Sequence, residues 1–111
     1  IGVMPLIDGP WERAKCGYKL IQYMAAGVVP MGARVGENKI IIQDGVNGYL
    51  ASQPEEWIEK LVMLCGNAQL RSAVGARARE TALEKYDGRI GAEAVQEVFT
   101  EVVSRKTKDA K

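Results

Sequence analysis

A chain of 111 residues is long enough for one compact domain and short for two, and its 47% apolar content supplies a core. With 15 basic against 14 acidic residues, the net charge of +1 gives no general attraction for nucleic acid or an anionic membrane, so any anion site must be local. The absence of histidine removes the commonest general base, and Cys16 and Cys65 lack the further ligands that a zinc site needs. The two cysteines read as reduced thiols of a cytosolic protein, with a disulfide as the alternative.

No apolar run reaches membrane length: Ile40-Ile41-Ile42 is broken by Gln43-Asp44, and Tyr23 to Met31 is too short. The opening Ile1 to Leu6 has no basic leader and reads as a core strand entered mid-sequence, ended by Pro5 and the Asp8-Gly9-Pro10 turn. On this reading the chain is part of something longer. A helix is predicted over Tyr18 to Ala26, because Leu20, Ile21, Met24 and Ala25 recur at helical spacing and Gly27 suits its end. Val28 to Met31 reads as a strand whose pairing Pro30 limits, and residues 36–43 as a short helix or an irregular turn.

Asp44-Gly45-Val46-Asn47-Gly48 is rich in turn formers, and Tyr49-Leu50-Ala51 after it is a brief strand. Pro54-Glu55-Glu56 opens a helix with a proline and acids in the first turn, and its expected buried stripe is Trp57, Ile58, Leu61, Leu64 and Cys65. A third helix is predicted from Ala68 to Tyr86, with Leu70, Val74, Ala78 and Ala82 on one side. A fourth runs from Gly91 to Arg105, with Ala92, Val95, Val98, Phe99 and Val102 facing inward. Met4, Met24, Met31 and Met63 read as core filler. Residues 1–105 form the domain and 106–111 a polar, frayed tail. Short apolar strands alternating with amphipathic helices predict an α/β fold with a parallel sheet and flanking helices. Only three strands are visible, so further strands are expected ahead of Ile1.

The densest chemistry runs from Pro10 to Met24, where a basic, glycine-containing loop meets a helix start. Free N–H groups in a first helical turn and the positive end of the helix dipole favour a phosphate. Gly17 permits close approach of backbone to ligand, with Tyr18 the first residue of the helix behind it. Lys15 and Lys19 lie four residues apart with Arg13 near, and the Gln22 amide sits a turn beyond Lys19, suited to neighbouring ribose hydroxyls. Spacing alone favours the plainer reading of solvated lysines and an ordinary turn, since neither a Walker-type sequence nor G-x-G-x-x-G is present.

The stretch from Pro10 to Gly27, followed by Val35-Gly36-Glu37-Asn38 and Asp44-Gly45-Val46-Asn47-Gly48-Tyr49-Leu50, resembles the C-terminal domain of family 4 glycosyltransferases. The resemblance covers nearly the whole chain. It implies one half of a two-domain GT-B enzyme, whose Rossmann-like domains face each other across a cleft. In that family two glutamates separated by seven residues serve the donor sugar and the ribose. Here they fall at Ala14 and Gln22, just ahead of Tyr23-Met24-Ala25-Ala26-Gly27. Gln22 keeps a ribose hydrogen bond without a carboxylate, whereas Ala14 does neither job. Glu37 and Asn38 either border the nucleotide pocket, as the resemblance implies, or cap a turn. Trp11 either covers the loop or packs under it.

The resemblance implies a retaining transferase that takes a nucleotide diphosphate sugar, UDP- or GDP-linked, as substrate, with no metal and no cofactor. Lys15, Gly17, Tyr18, Lys19 and Gln22 are the expected donor-binding residues, and no catalytic residue is assigned. The expected partners are the donor and a missing N-terminal acceptor domain, together with self-association through an exposed sheet edge. The expected location is cytoplasmic, peripheral at the inner membrane for the full-length enzyme. A non-catalytic binding or assembly module is the alternative. An epimerase of the same two-domain fold is weaker, because the acids and histidine on which it relies are not found.

Overall fold

Three short strands, β1 (Gly2–Met4), β2 (Pro30–Ala33) and β3 (Tyr49–Ala51), lie parallel in the order β1-β2-β3 in a computed structural model that describes residues 1–110. Helices α1 (Pro10–Arg13) and α2 (Tyr18–Ala25) connect β1 to β2, and α3 (Asn38–Ile41) connects β2 to β3. Beyond the sheet come α4 (Pro54–Cys65), α5 (Ala68–Lys85) and α6 (Gly88–Asp109). The α/β architecture is the expected one, a parallel sheet flanked by helices.

Side chains alternate across a strand, so β3 feeds two cores. Leu50 joins Leu20, Met24, Ile42, Ala78 and Ala82 on one face, while Tyr49 and Ala51 join Val29, Met31, Leu64 and Val74 on the other. Helix α5 serves both clusters, because Val74 belongs to one and Ala78 and Ala82 to the other. Its approach to α2 is backbone on backbone. A methyl group at Gly75 would overlap the carbonyl oxygen of Gly27, which sits at φ 70° just past the end of α2. That left-handed conformation suits the glycine there, where it ends the helix as expected.

Strand β2 begins two residues later than the apolar run suggests. Pro30 takes the first strand position, where its missing N–H costs no ladder bond, and the preceding Val29 carbonyl accepts from the Gly2 amide at 2.8 Å. The strand therefore ends on Gly32 and Ala33, which carry little strand propensity. A Cβ at Gly32 would lie 3.2 Å from both Leu20 and Asn38, so the helices above leave little room for a side chain.

Two expected faces are corrected. In α4, Leu64 is buried and Trp57 and Leu61 are partly so, but Ile58 is 62% exposed, and Cys65 and Met63 are exposed too. The helix touches β3 and α5 along a strip narrower than its apolar pattern. Helix α6 starts earlier than expected, at an Asp87 cap whose carboxylate accepts from the Arg89 amide, and runs to Asp109, past the expected end at Arg105. Lys111, the last residue of the expected tail, lies outside the described residues. The α6 face expected to turn inward is open: Val95, Val98, Phe99 and Val102 are each more than half exposed, and Ala92 is exposed as well. Among the described residues no element packs along it.

Candidate functional site

Helix α2 starts beside Met4, the last residue of β1. Gly17 stands at its N-cap with φ 68°, and a side chain there would overlap Ile41 below it, so geometry and packing both select glycine. The Leu20 and Ile21 amides turn back to the Gly17 carbonyl. The amides of Tyr18 and Lys19 have no hydrogen-bond partner among the described residues. No side chain caps the helix and no acid lies in its first turn, so its positive end faces solvent uncompensated.

Met4 and residues 14–19 line a shallow depression around that turn. It brings together four of the five residues expected to bind the donor: Lys15, Gly17, Tyr18 and Lys19. Lys15 and Lys19 are exposed, and Tyr18 is 63% exposed. Gln22 stands outside the lining, exposed one turn along α2. Ala14 lines the depression, with only a methyl where the resembling family carries a carboxylate. Trp11 does not pack under the loop, for it is 76% exposed on α1.

The loop is braced from below. Asn38, 1% exposed, donates from Nδ2 to the Ala33 carbonyl at 3.0 Å and so ties the end of β2 to α3 under Gly17. Of the two roles weighed for it, this bond favours the structural one. Asn47 is buried too, accepting from the Gln43 amide at 2.8 Å and donating to the Ile41 carbonyl at 3.3 Å. Across α1, Arg13 at its end donates from Nε to Oδ1 of Asp8 ahead of it at 2.6 Å, and that bond holds the Asp8 carboxyl below its ordinary range despite slight desolvation. Sequence reading missed this clasp, whose signal was an acid five residues ahead of a base across a proline-initiated turn.

Asp44 does more than make a turn. It accepts from the Leu50 amide at 2.9 Å, from Arg34 at 3.1 Å and from Lys60 at 3.1 Å, and Lys60 also donates to the Leu50 carbonyl. Burial pushes its carboxyl up, but these donors together outweigh burial and hold it below the usual 3.8. A depressed carboxyl stabilises the fold above its unfolded value, and the contribution is lost as pH falls through the lower folded value. Melting curves should therefore show stability falling from about pH 5 downward. Asp44→Asn should start lower at neutral pH and flatten that acid limb; an unchanged limb would remove Asp44 from the account.

Among the described residues no group of three or more Cys, Asp and Glu side chains is placed to hold a metal, and no helix is long and apolar enough to cross a membrane.

The parallel sheet, with its helix start at the carboxyl end of β1, defines a Rossmann-like domain of the kind found at the C-terminal end of GT-B glycosyltransferases. Comparison with known proteins agrees on the fold. The structure of Anabaena Alr3699/HepE in complex with UDP and glucose superposes with a TM-score of 0.76 at 16% identity, over 89% of this chain and 27% of that one. The C-terminal domain of the glycosyl transferase group 1 family protein LpcC from Francisella tularensis gives 0.63 at 22% identity, over 78% of this chain and 44% of that one. In sequence the chain is 32% identical over 77 residues to N-acetyl-alpha-D-glucosaminyl L-malate synthase of Bacillus anthracis, covering 68% of this chain and 20% of the synthase. It thus spans about a fifth of that relative. No family model matches.

Proposed function

We propose that this chain is the donor-binding part of a family 4 glycosyltransferase and holds a nucleotide diphosphate sugar, UDP- or GDP-linked, for transfer with retention. The observation that carries this reading is the open start of α2: two unpartnered amides behind a left-handed glycine, flanked by Lys15 and Lys19, with no acid in the first turn. Such a turn stabilises negative charge where it builds on a departing diphosphate, with its donors already in place. Structural neighbours solved with UDP and with UDP-glucose lend support. We also expect copies of the chain to pair along the outer edge of β1, which lies at the margin of the sheet. Mass measured by light scattering at rising concentration checks this, and a constant monomer mass would refute it.

Calorimetric titration with UDP, dUDP and UMP tests the donor site. UDP should bind and weaken as salt rises. Lys19→Ala should cost roughly 1.5–3 kcal/mol where the site is desolvated and less where it is open, because one charge-assisted contact is lost. Gln22→Ala should leave phosphate affinity nearly intact while narrowing the gap between UDP and dUDP. Equal affinities for wild type and both variants would make this loop ordinary surface. Ala14 favours a second reading, a binding module without catalysis; intact UDP binding with no sugar transfer by the longer protein would select it.

A further inference from the structure

The loop that leads into α2 is not held by its own amides past Lys15. The N–H groups of Cys16 and Gly17 donate to nothing among the described residues. Contact with the connection that follows β2 sets its course instead, at both ends of the loop. At the front, Gly36 adopts φ 52°, and a Cβ there would lie 2.7 Å from the Arg13 carbonyl oxygen and 2.9 Å from the Arg13 Cα. Two backbones thus lie against each other where α1 ends, and only glycine fits between them. At the back, a Cβ on Gly17 would overlap Ile41 and stand 3.4 Å from Asn38 Oδ1.

Asn38 is fixed in turn. Its Nδ2 donates to the Ala33 carbonyl at 3.0 Å, and its backbone amide donates to the Val35 carbonyl at 3.2 Å. A Cβ on Gly32 would come within 3.2 Å of the same Nδ2, so the carboxamide occupies the space beside β2 that a larger residue there would take. Two lines of contact result: from β2 through Asn38 to Gly17, and from Gly36 to Arg13. None of residues 36–38 lines the depression at the start of α2. Their influence on a ligand there passes through the loop. Hydrogen bonds weaken steeply as a donor swings off line, and a misplacement of about 1 Å can cost about a hundredfold.

We propose that Gly36 and Asn38 are positioning residues of the nucleotide site: without touching the ligand, they fix loop 13–17 and with it the aim of the Tyr18 and Lys19 amides. The proposal rests on the donor reading above. It adds that donor affinity is set from a second connection of the sheet, one that contributes no group to the bound nucleotide.

Calorimetric titration of the 111-residue chain with UDP tests it, on folded samples well below their melting points. Gly36→Ala should push the loop off its seat and weaken UDP by at least about tenfold. Asn38→Ala, which empties the seat under Gly17, should do the same. Both variants keep every lysine, so the salt dependence of the remaining binding should keep its wild-type slope, whereas Lys19→Ala flattens it. Val74→Ala is the control for lost stability alone: it removes buried methyls from the other core cluster, and should lower the melt without changing UDP affinity. Amide spectra of wild-type dispersion confirm folding. Should Asn38→Ala not fold, Gly36→Ala decides, because Gly36 lies in a half-buried turn. Wild-type affinity in either positioning variant overturns the proposal for that residue, and an equal loss in Val74→Ala overturns it for both. No binding of UDP by the wild-type chain overturns the donor reading, and this proposal with it.

Discussion

Gly75→Ala should destabilise the protein by up to about 2 kcal/mol, although alanine is the better helix former. The added methyl would overlap the Gly27 carbonyl oxygen and lie 3.1 Å from its carbonyl carbon. Neither partner can yield easily. Gly27 is fixed in the left-handed region at the end of α2, and Gly75 is buried in the middle of α5. Overpacking of this kind costs about 1–3 kcal/mol, against a helix-propensity gain of about 1 kcal/mol. Gly91→Ala is the control. It makes the same chemical change in a helix, but nothing lies within 4 Å of the new methyl, so propensity alone should act and add about 0.5–1 kcal/mol. Denaturant melts of both variants measure the difference. Equal stabilisation by the two alanines would mean that α5 does not dock on α2 as described.

Leu20→Ala should have the larger effect, a loss of about 3 kcal/mol and a melting temperature lower by about 15 °C. Leu20 is fully buried in the core cluster that joins α2 to the sheet and α5. The neighbouring Lys19 gives the opposite split. Its truncation should leave the melt within about 0.5 kcal/mol, as for ordinary surface positions, while reducing nucleotide affinity. That outcome would separate two tasks on adjacent residues of one helix, with Leu20 anchoring α2 and Lys19 serving the proposed nucleotide site. Nucleotide binding of Leu20→Ala, measured well below its melting point, should match wild type.

Sequence pattern alone yielded most of the helical framework. Gly17 and Gly27 bracket α2, and Pro54-Glu55-Glu56 opens α4, because backbone conformation and the helix dipole each demand particular residues at those points. Strand β2 was legible only in part. Its last residues, Gly32 and Ala33, are small for the sake of α2 above them, so packing overrode the β-branched signal. The periodicity of α6 revealed an apolar face but not what lies against it, since a hydrophobic stripe describes one surface and burial requires two.

The depression at the start of α2 was readable because its lining, residues 14–19, is contiguous. The concavity at the carboxyl ends of the strands was not, because Asp8, Arg34 and Ser52 sit on three connections that only the parallel register brings to one end of the sheet.

The projecting α6 also governs how the molecule moves through water. Its 22 residues extend about 33 Å. The chain measures 66 × 30 × 15 Å with a radius of gyration of 17.7 Å, where a sphere-like domain of this length would have about 13 Å. Friction follows shape as well as mass, so a single chain should drift slowly in a centrifuge and leave a sizing column early, at the volume of a heavier globular protein. End-over-end tumbling is slower than spinning about the long axis, and amide N–H vectors in α6 lie close to the helix axis. Their NMR relaxation should therefore differ from that of the sheet even if both parts are equally rigid.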